Sequence, residues 1–285
     1  MLTRKSFRHA ALPVTLLAAG ASALAATTPA LAADEAPAQV RIEGDRVHFT
    51  AALGQANHLK VTVGKITTSD DHYYRTYTLK DVWEIQAGSG CVYPETADYT
   101  RVQCTLEIYD TPSPLDTGVF ELLDEDDEVV FENPSHQAFD YNKFWLGSGD
   151  DTITSRQEDG GIDGSAIWGG PGDDVIVAGP GGDNSSALGG TGDDVLRVSD
   201  SGNGGAGDDI LYATDGAALR GDAGDDRLYG SSGADSLYGG PGNDSVWGKK
   251  GADTLWGNSG NDRLYGGPGT DTIHGGPGKD VIRQN

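Results

Sequence analysis

From Gly221 to Arg283 the chain consists of seven nine-residue units laid end to end without an insertion: GDAGDDRLY, GSSGADSLY, GGPGNDSVW, GKKGADTLW, GNSGNDRLY, GGPGTDTIH and GGPGKDVIR. Each has glycine at positions 1 and 4, aspartate at 6 and an aliphatic residue at 8. A nonapeptide cannot bury its own apolar side chain, so a period this strict means units stacked on one another. The last three residues of each unit read as a short strand, with position 8 pointing one way and positions 7 and 9 the other. Leu228, Leu237, Val246, Leu255, Leu264, Ile273 and Ile282 are therefore the expected core.

The front of each unit has its own chemistry. Its glycines allow a tight turn and leave backbone carbonyls unobstructed, and the aspartate places a carboxylate where the turn enters the strand. Such oxygens suit a hard cation. The units resemble the calcium-binding repeat of RTX (haemolysin-type) proteins, G-G-x-G-x-D-x-U-x with U large and aliphatic. The resemblance implies an all-β fold, a parallel β-roll or solenoid in which two nonapeptides make one turn. It also implies Ca2+ between loops n and n+2 on one edge, held by aspartate carboxylates and glycine-loop carbonyls. One ion per such pair gives about five in the tandem array 221–283. The candidate ligands there are Asp226, Asp235, Asp244, Asp253, Asp262, Asp271 and Asp280.

The roll is expected over 146–285, irregular at first. Leu146–Thr154, Gly169–Val177, Gly189–Arg197 and Gly204–Tyr212 are recognisable units and add Asp151, Asp174, Asp194 and Asp209 as candidate ligands. Ala178–Ser186 keeps Asp183 but has Ser185 at the core position. Val198–Asn203 reads as an insert, and Tyr212–Arg220 supplies only the core residue Leu219.

Residues 33–145 read as all-β, either a separate cap or the degenerate start of the roll. Strands are expected at Val40–Ile42, Val47–Ala51, Leu59–Ile66, Tyr73–Leu79, Val82–Ile85, Val102–Tyr109 and Val119–Leu123. Gly54-x-x-Asn57-x-Leu59 copies the end of a repeat with Asn for Asp. Leu123–Val129 resembles Leu146–Ile153 with its glycines replaced; the alternative is a solvated acidic loop. Cys91 and Cys104 are the only cysteines and lie in a chain that reads as exported, so a disulfide is expected, worth about 3 kcal/mol for a loop of about 14 residues.

Export is read from Met1–Ala32, where Arg4, Lys5 and Arg8 precede an apolar run and Ala30-Leu31-Ala32 gives a small-x-small cleavage site. Thr3–Phe7 resembles a twin-arginine signal with Lys for the second Arg, and the general pathway is favoured. No other stretch is apolar enough to span a bilayer, so the mature protein is expected to be extracellular. The layout resembles secreted repeat proteins of Gram-positive, actinobacterial type. A net charge of −24 with 43 glycines would leave the chain disordered unless metal neutralises the stacked aspartates. The same charge argues against a nucleic-acid partner.

Catalytic motifs are missing: there is no H-E-x-x-H, G-x-S-x-G or P-loop. His72 in Asp70-Asp71-His72-Tyr73 is the best local candidate, against a plain solvated turn. The expectation is a non-enzymatic, secreted calcium-binding protein. One rival is an adhesion protein that holds a cell-surface glycan or protein on position-9 side chains, with Tyr229, Trp247 and Tyr265 on one face and Tyr238, Trp256 and His274 on the other. Another places a small secreted hydrolase in residues 40–145.

Overall fold

A computed structural model describes residues 36–69, 72–108, 115–133, 140–156, 164–178 and 185–284; the expected export signal and Asp183 lie outside them. Alternate nonapeptides feed alternate sheets. The chain runs from Ser236–Pro241 in one sheet to Ser245–Trp247 in the other, then back to Thr254–Ser259 beside the first strand. Repeated along the chain, this gives sheets of twelve and fourteen strands, parallel along most of their length, that enclose one thin core. Two units therefore make one turn of a parallel β-roll, and no helix occurs among the described residues.

Leu228, Leu237, Val246, Leu255 and Leu264 are fully buried, each aligned with its equivalents one turn away. Ile273 is only partly buried. The sequence reading fails at Ile282, which is 49% exposed: among the described residues its strand Val281–Arg283 stands at the end of its sheet, with a neighbour on one side only.

The position-9 residues stack as expected. Tyr212, Tyr229, Trp247 and Tyr265 lie face to face at 4.9, 4.6 and 5.7 Å, with Arg197 over one end and Arg283 over the other. On the opposite sheet Tyr238, Trp256 and His274 stack at 6.4 and 4.0 Å. Ring planes within each pair differ by 25° or less, so the faces cover one another. The ladders thus tie rung to rung.

The sheets continue without a break into the N-terminal residues. Arg46–Thr50 and His58–Val63 form the first rung, paired in parallel with Leu115–Glu121 and Glu128–Glu132. The chain between these rungs builds an antiparallel end: His72–Lys80 pairs with His58–Val63 and with Arg101–Ile108. Cys91 faces Cys104 across this end and is disulfide-bonded to it. The core here is aromatic, with Phe120 stacked on Phe144 at 4.7 Å and Phe131 edge-on to Phe144 at 5.4 Å.

Two further expectations need correction. Val82 and Trp83 are exposed in a bend rather than a strand, because Asp81 Oδ1 accepts N–H bonds from both Val82 and His58 and turns the chain; the strand is Ile85–Ala87. Val198–Asn203 is not an insert. It runs into the strand Ser201–Ala206, which places Gly202 in the core between Ala187 and Leu219.

Phe144→Ala should destabilise the protein by about 3–5 kcal/mol, as expected for emptying a packed aromatic site. Urea unfolding in calcium checks this, and a loss below about 1 kcal/mol would mean that the aromatic cluster is not the main core of this end.

Candidate metal centre

Each loop that enters the fourteen-stranded sheet is built on the same plan. In Gly239–Asp244, Gly240 and Gly242 have φ of 130° and 153°, a region L side chains avoid. A Cβ at either would also strike a carbonyl of the preceding loop, Asp222 or Gly224. Stacked loops therefore touch backbone to backbone, a contact that favours glycine, although Asp222 and Asn258 take the equivalent second position with φ of 69° and 72°.

Aspartate at position 6 joins the loops into a column. Asp244 Oδ1 accepts the N–H of Asp226 at 2.9 Å, and Asp226 Oδ1 accepts that of Asp209 at 2.8 Å. The series runs from Asn57 through Asp127, Asp151, Asp174, Asp194, Asp209, Asp226, Asp244 and Asp262 to Asp280. A shorter column on the other edge links Ala217, Asp235, Asp253 and Asp271. The sequence interval between successive members of the long column varies from 15 to 24 residues after Asp127, yet the hydrogen bond is kept. Loops absorb the difference.

The second carboxylate oxygen is the unusual feature. Oδ2 is buried without a hydrogen-bond partner at Asp127, Asp151, Asp174, Asp194, Asp209, Asp226, Asp244, Asp253 and Asp262. Burial raises these carboxyls, and neighbouring aspartates add to the effect at every one: Asp194, Asp209 and Asp244 are pushed up to about 7, Asp174 and Asp226 to about 6. A column of ionised, unpaired carboxylates is untenable in an apolar interior. The site calls for positive charge.

The position-1 glycines show where that charge fits. At Gly169, Gly189, Gly221, Gly248 and Gly257, the spot a Cβ would occupy lies within 3.0 Å of both the Oδ2 of that unit's aspartate and a glycine carbonyl oxygen of the next turn. A carboxylate and a backbone carbonyl thus share one cradle, the donor type calcium prefers. Among the described residues no three His, Cys, Asp or Glu side chains gather into a metal-holding group, so the donors of each cradle are mixed. Asp235 differs: Ser231 N–H and Oγ meet its Oδ2 at 2.6 and 3.1 Å.

The degenerate turn expected at Leu123–Val129 is present, with Leu123 and Glu125 in place of glycines at φ of 79° and 69°, but its aspartate, Asp127, was not among the expected ligands. The surviving signal was Asp127-x-Val129. Sequence reasoning also missed an outer, exposed column in which Asp126, Asp150, Asp173, Asp193, Asp208 and Asp225 each accept the N–H of the equivalent residue one turn on. This column explains the Asp-Asp doublets. The unit at Ala178–Ser186 was misaligned by two residues, since Ala187 occupies the core and Ser185 precedes the strand. His72 pairs with Glu107 on an exposed strand face.

Such a roll, with oxygen cradles along its edges, defines a calcium-binding repeat protein. The family model of the RTX calcium-binding nonapeptide repeat matches in four copies, over residues 159–185, 220–255 and 247–282. The chain carries RTX calcium-binding repeats. No curated protein matches it.

Two measurements probe the cradle. Gly239 has an ordinary φ, so Gly239→Ala adds only a methyl group that overlaps Asp244 Oδ2. It should cost bound calcium and raise the calcium midpoint; an empty, adaptable cradle would instead gain about 0.4–1 kcal/mol from the stiffer chain. The second variable is pH. With carboxyls at about 6–7 in the fold against about 3.9 unfolded, calcium-free stability is fully present below about pH 4 and is lost as pH rises through 6–7. In chelator, far-UV circular dichroism should show more β structure at about pH 5 than at about pH 8.

Proposed function

We propose that this chain is a secreted, non-catalytic calcium-binding protein whose repeats fold when calcium fills the cradles. The observation that carries this reading is that columns of aspartates commit one oxygen to the neighbouring rung, the other being buried, unpaired and beside a glycine carbonyl at Asp174, Asp194, Asp226, Asp253 and Asp262. Calcium, when bound, supplies positive charge and accepts six to eight oxygens. On this reading Asp226, Asp235, Asp244, Asp253, Asp262, Asp271 and Asp280 hold about five ions in the tandem array, one per pair of loops one turn apart. Asp174, Asp194 and Asp209 extend the series towards the N-terminus.

Affinity at the ~10⁻⁴–10⁻³ M scale of extracellular modules would leave the repeats unfolded in a calcium-poor cytosol and folded outside the cell. That order suits export of an unfolded chain, as the basic and apolar segments before Ala32 suggest. Among the described residues no helix is long and apolar enough to cross a membrane. The glycan-platform reading gains no support, since a sugar stacks on open ring faces and these rings cover one another.

Asp244→Ala combined with Asp262→Ala tests the ligand assignment by isothermal titration. The variant should bind fewer ions and require about tenfold more calcium, equivalent to about 1.4 kcal/mol. An unchanged midpoint and ion count would remove these aspartates from the site.

A further inference from the structure

We propose that the calcium-dependent roll starts at the Asp174 rung, and that residues 36–156 form a platform that folds without calcium and templates the rungs beyond it. The proposal rests on the calcium reading of the repeats and divides the chain within it.

The division is drawn by one position. Five residues before the aspartate, every rung of the long column from Asp174 to Asp280 has glycine, from Gly169 to Gly275. The Asp127 and Asp151 rungs have Leu122 and Leu146 there, both fully buried in the hydrophobic core. A single Cβ at Gly169 would already overlap Asp174 Oδ2. A leucine brings that carbon and three more, so an apolar side chain stands at the position that forms the metal cradle in later rungs.

The two stretches also differ in what holds them together. Residues 36–156 bury Phe49, Tyr77, Phe120, Phe131 and Phe144. Tyr77 donates to Thr117 Oγ1 at 2.6 Å inside that core. Eight consecutive pairings join His72–Lys80 to Arg101–Ile108, and a disulfide closes the end. Beyond residue 164 the short strands Arg227–Tyr229, Ser245–Trp247 and Arg263–Tyr265 each offer one aliphatic core residue, Leu228, Val246 or Leu264, beside an unpaired buried carboxylate. Asp127 and Asp151 also bury an unpaired Oδ2, but there Leu122 and Leu146 and the aromatic core stand beside the carboxylates, whereas the later rungs have only a thin core to offset theirs. The platform ends in two strands, Asp140–Trp145 and Thr152–Arg156, whose free sides pair in parallel with Gly164–Pro171 and Val175–Val177. A preformed edge removes the nucleation cost of the first calcium-dependent rung, and later rungs add in chain order.

Hydrogen exchange read by mass spectrometry on the oxidised mature chain, 33–285, tests this in chelator and in calcium. In chelator, amides of His72–Lys80, Arg101–Ile108 and Glu128–Glu132 should exchange at least about 100-fold more slowly than those of Arg227–Tyr229 and Arg263–Tyr265, and calcium should close the gap. Uniformly fast exchange in chelator would overturn the platform and leave the calcium reading standing. Uniformly slow exchange would overturn the calcium reading itself. Phe144→Ala, which alters no cradle residue, should raise the calcium midpoint of the repeat strands at least about threefold; an unmoved midpoint would overturn templating.

Discussion

The hydrogen bond from one rung's aspartate N–H to the next aspartate's Oδ1 sets the terms for the rest of the roll. It fixes the spacing and register of successive turns along one edge, from Asn57 to Asp280. To reach its donor the carboxylate must turn inward, and its other oxygen is then buried without a partner. From the Asp174 rung onward, glycine at position 1 follows, because a Cβ there would collide with that oxygen. The need for a cation follows as well, because the interior gives the second oxygen nothing else. Sequence pattern, backbone conformation and metal chemistry share this one cause.

A roll of this kind has little else to stand on. Its core in the tandem array is a single file of Leu228, Val246 and Leu264 on one sheet facing Leu237 and Leu255 on the other. Outside, the aromatic ladders add contact between rungs but leave the interior no larger. Apolar burial is richer at the N-terminal end, where phenylalanines and antiparallel strands replace the repeat. Along the chain, stabilisation thus passes from side-chain packing to charge neutralisation.

Much of this was legible in the sequence wherever the period was unbroken. Position 8 gave the core, position 9 the ladders, and loops two units apart the same edge. Legibility failed where the backbone kept the plan without the residues that advertise it. Leu123 and Glu125 adopt positive φ without glycine, which left the Asp127 rung indistinguishable in sequence from a solvated acidic loop. Gly202 fills a core position that elsewhere holds leucine, so its rung looked like an insert. At Ser185 and Ala187 a two-residue shift was invisible because serine and alanine carry almost no periodic signal. Ile282 has the right residue in the right phase, yet burial depends on a neighbouring rung rather than on the residue itself.

Calcium titration of residues 33–285 followed by far-UV circular dichroism, with magnesium in parallel, tests the central claim most directly. Magnesium demands tighter octahedral geometry and gives up its waters reluctantly, so mixed carboxylate and carbonyl cradles should distinguish the two ions. A cooperative gain in β signal with calcium and none with magnesium is the predicted result. A spectrum already fully β-rich in chelator at neutral pH, and unmoved by either ion, would contradict the account, for the buried aspartates would then be tolerated without a cation.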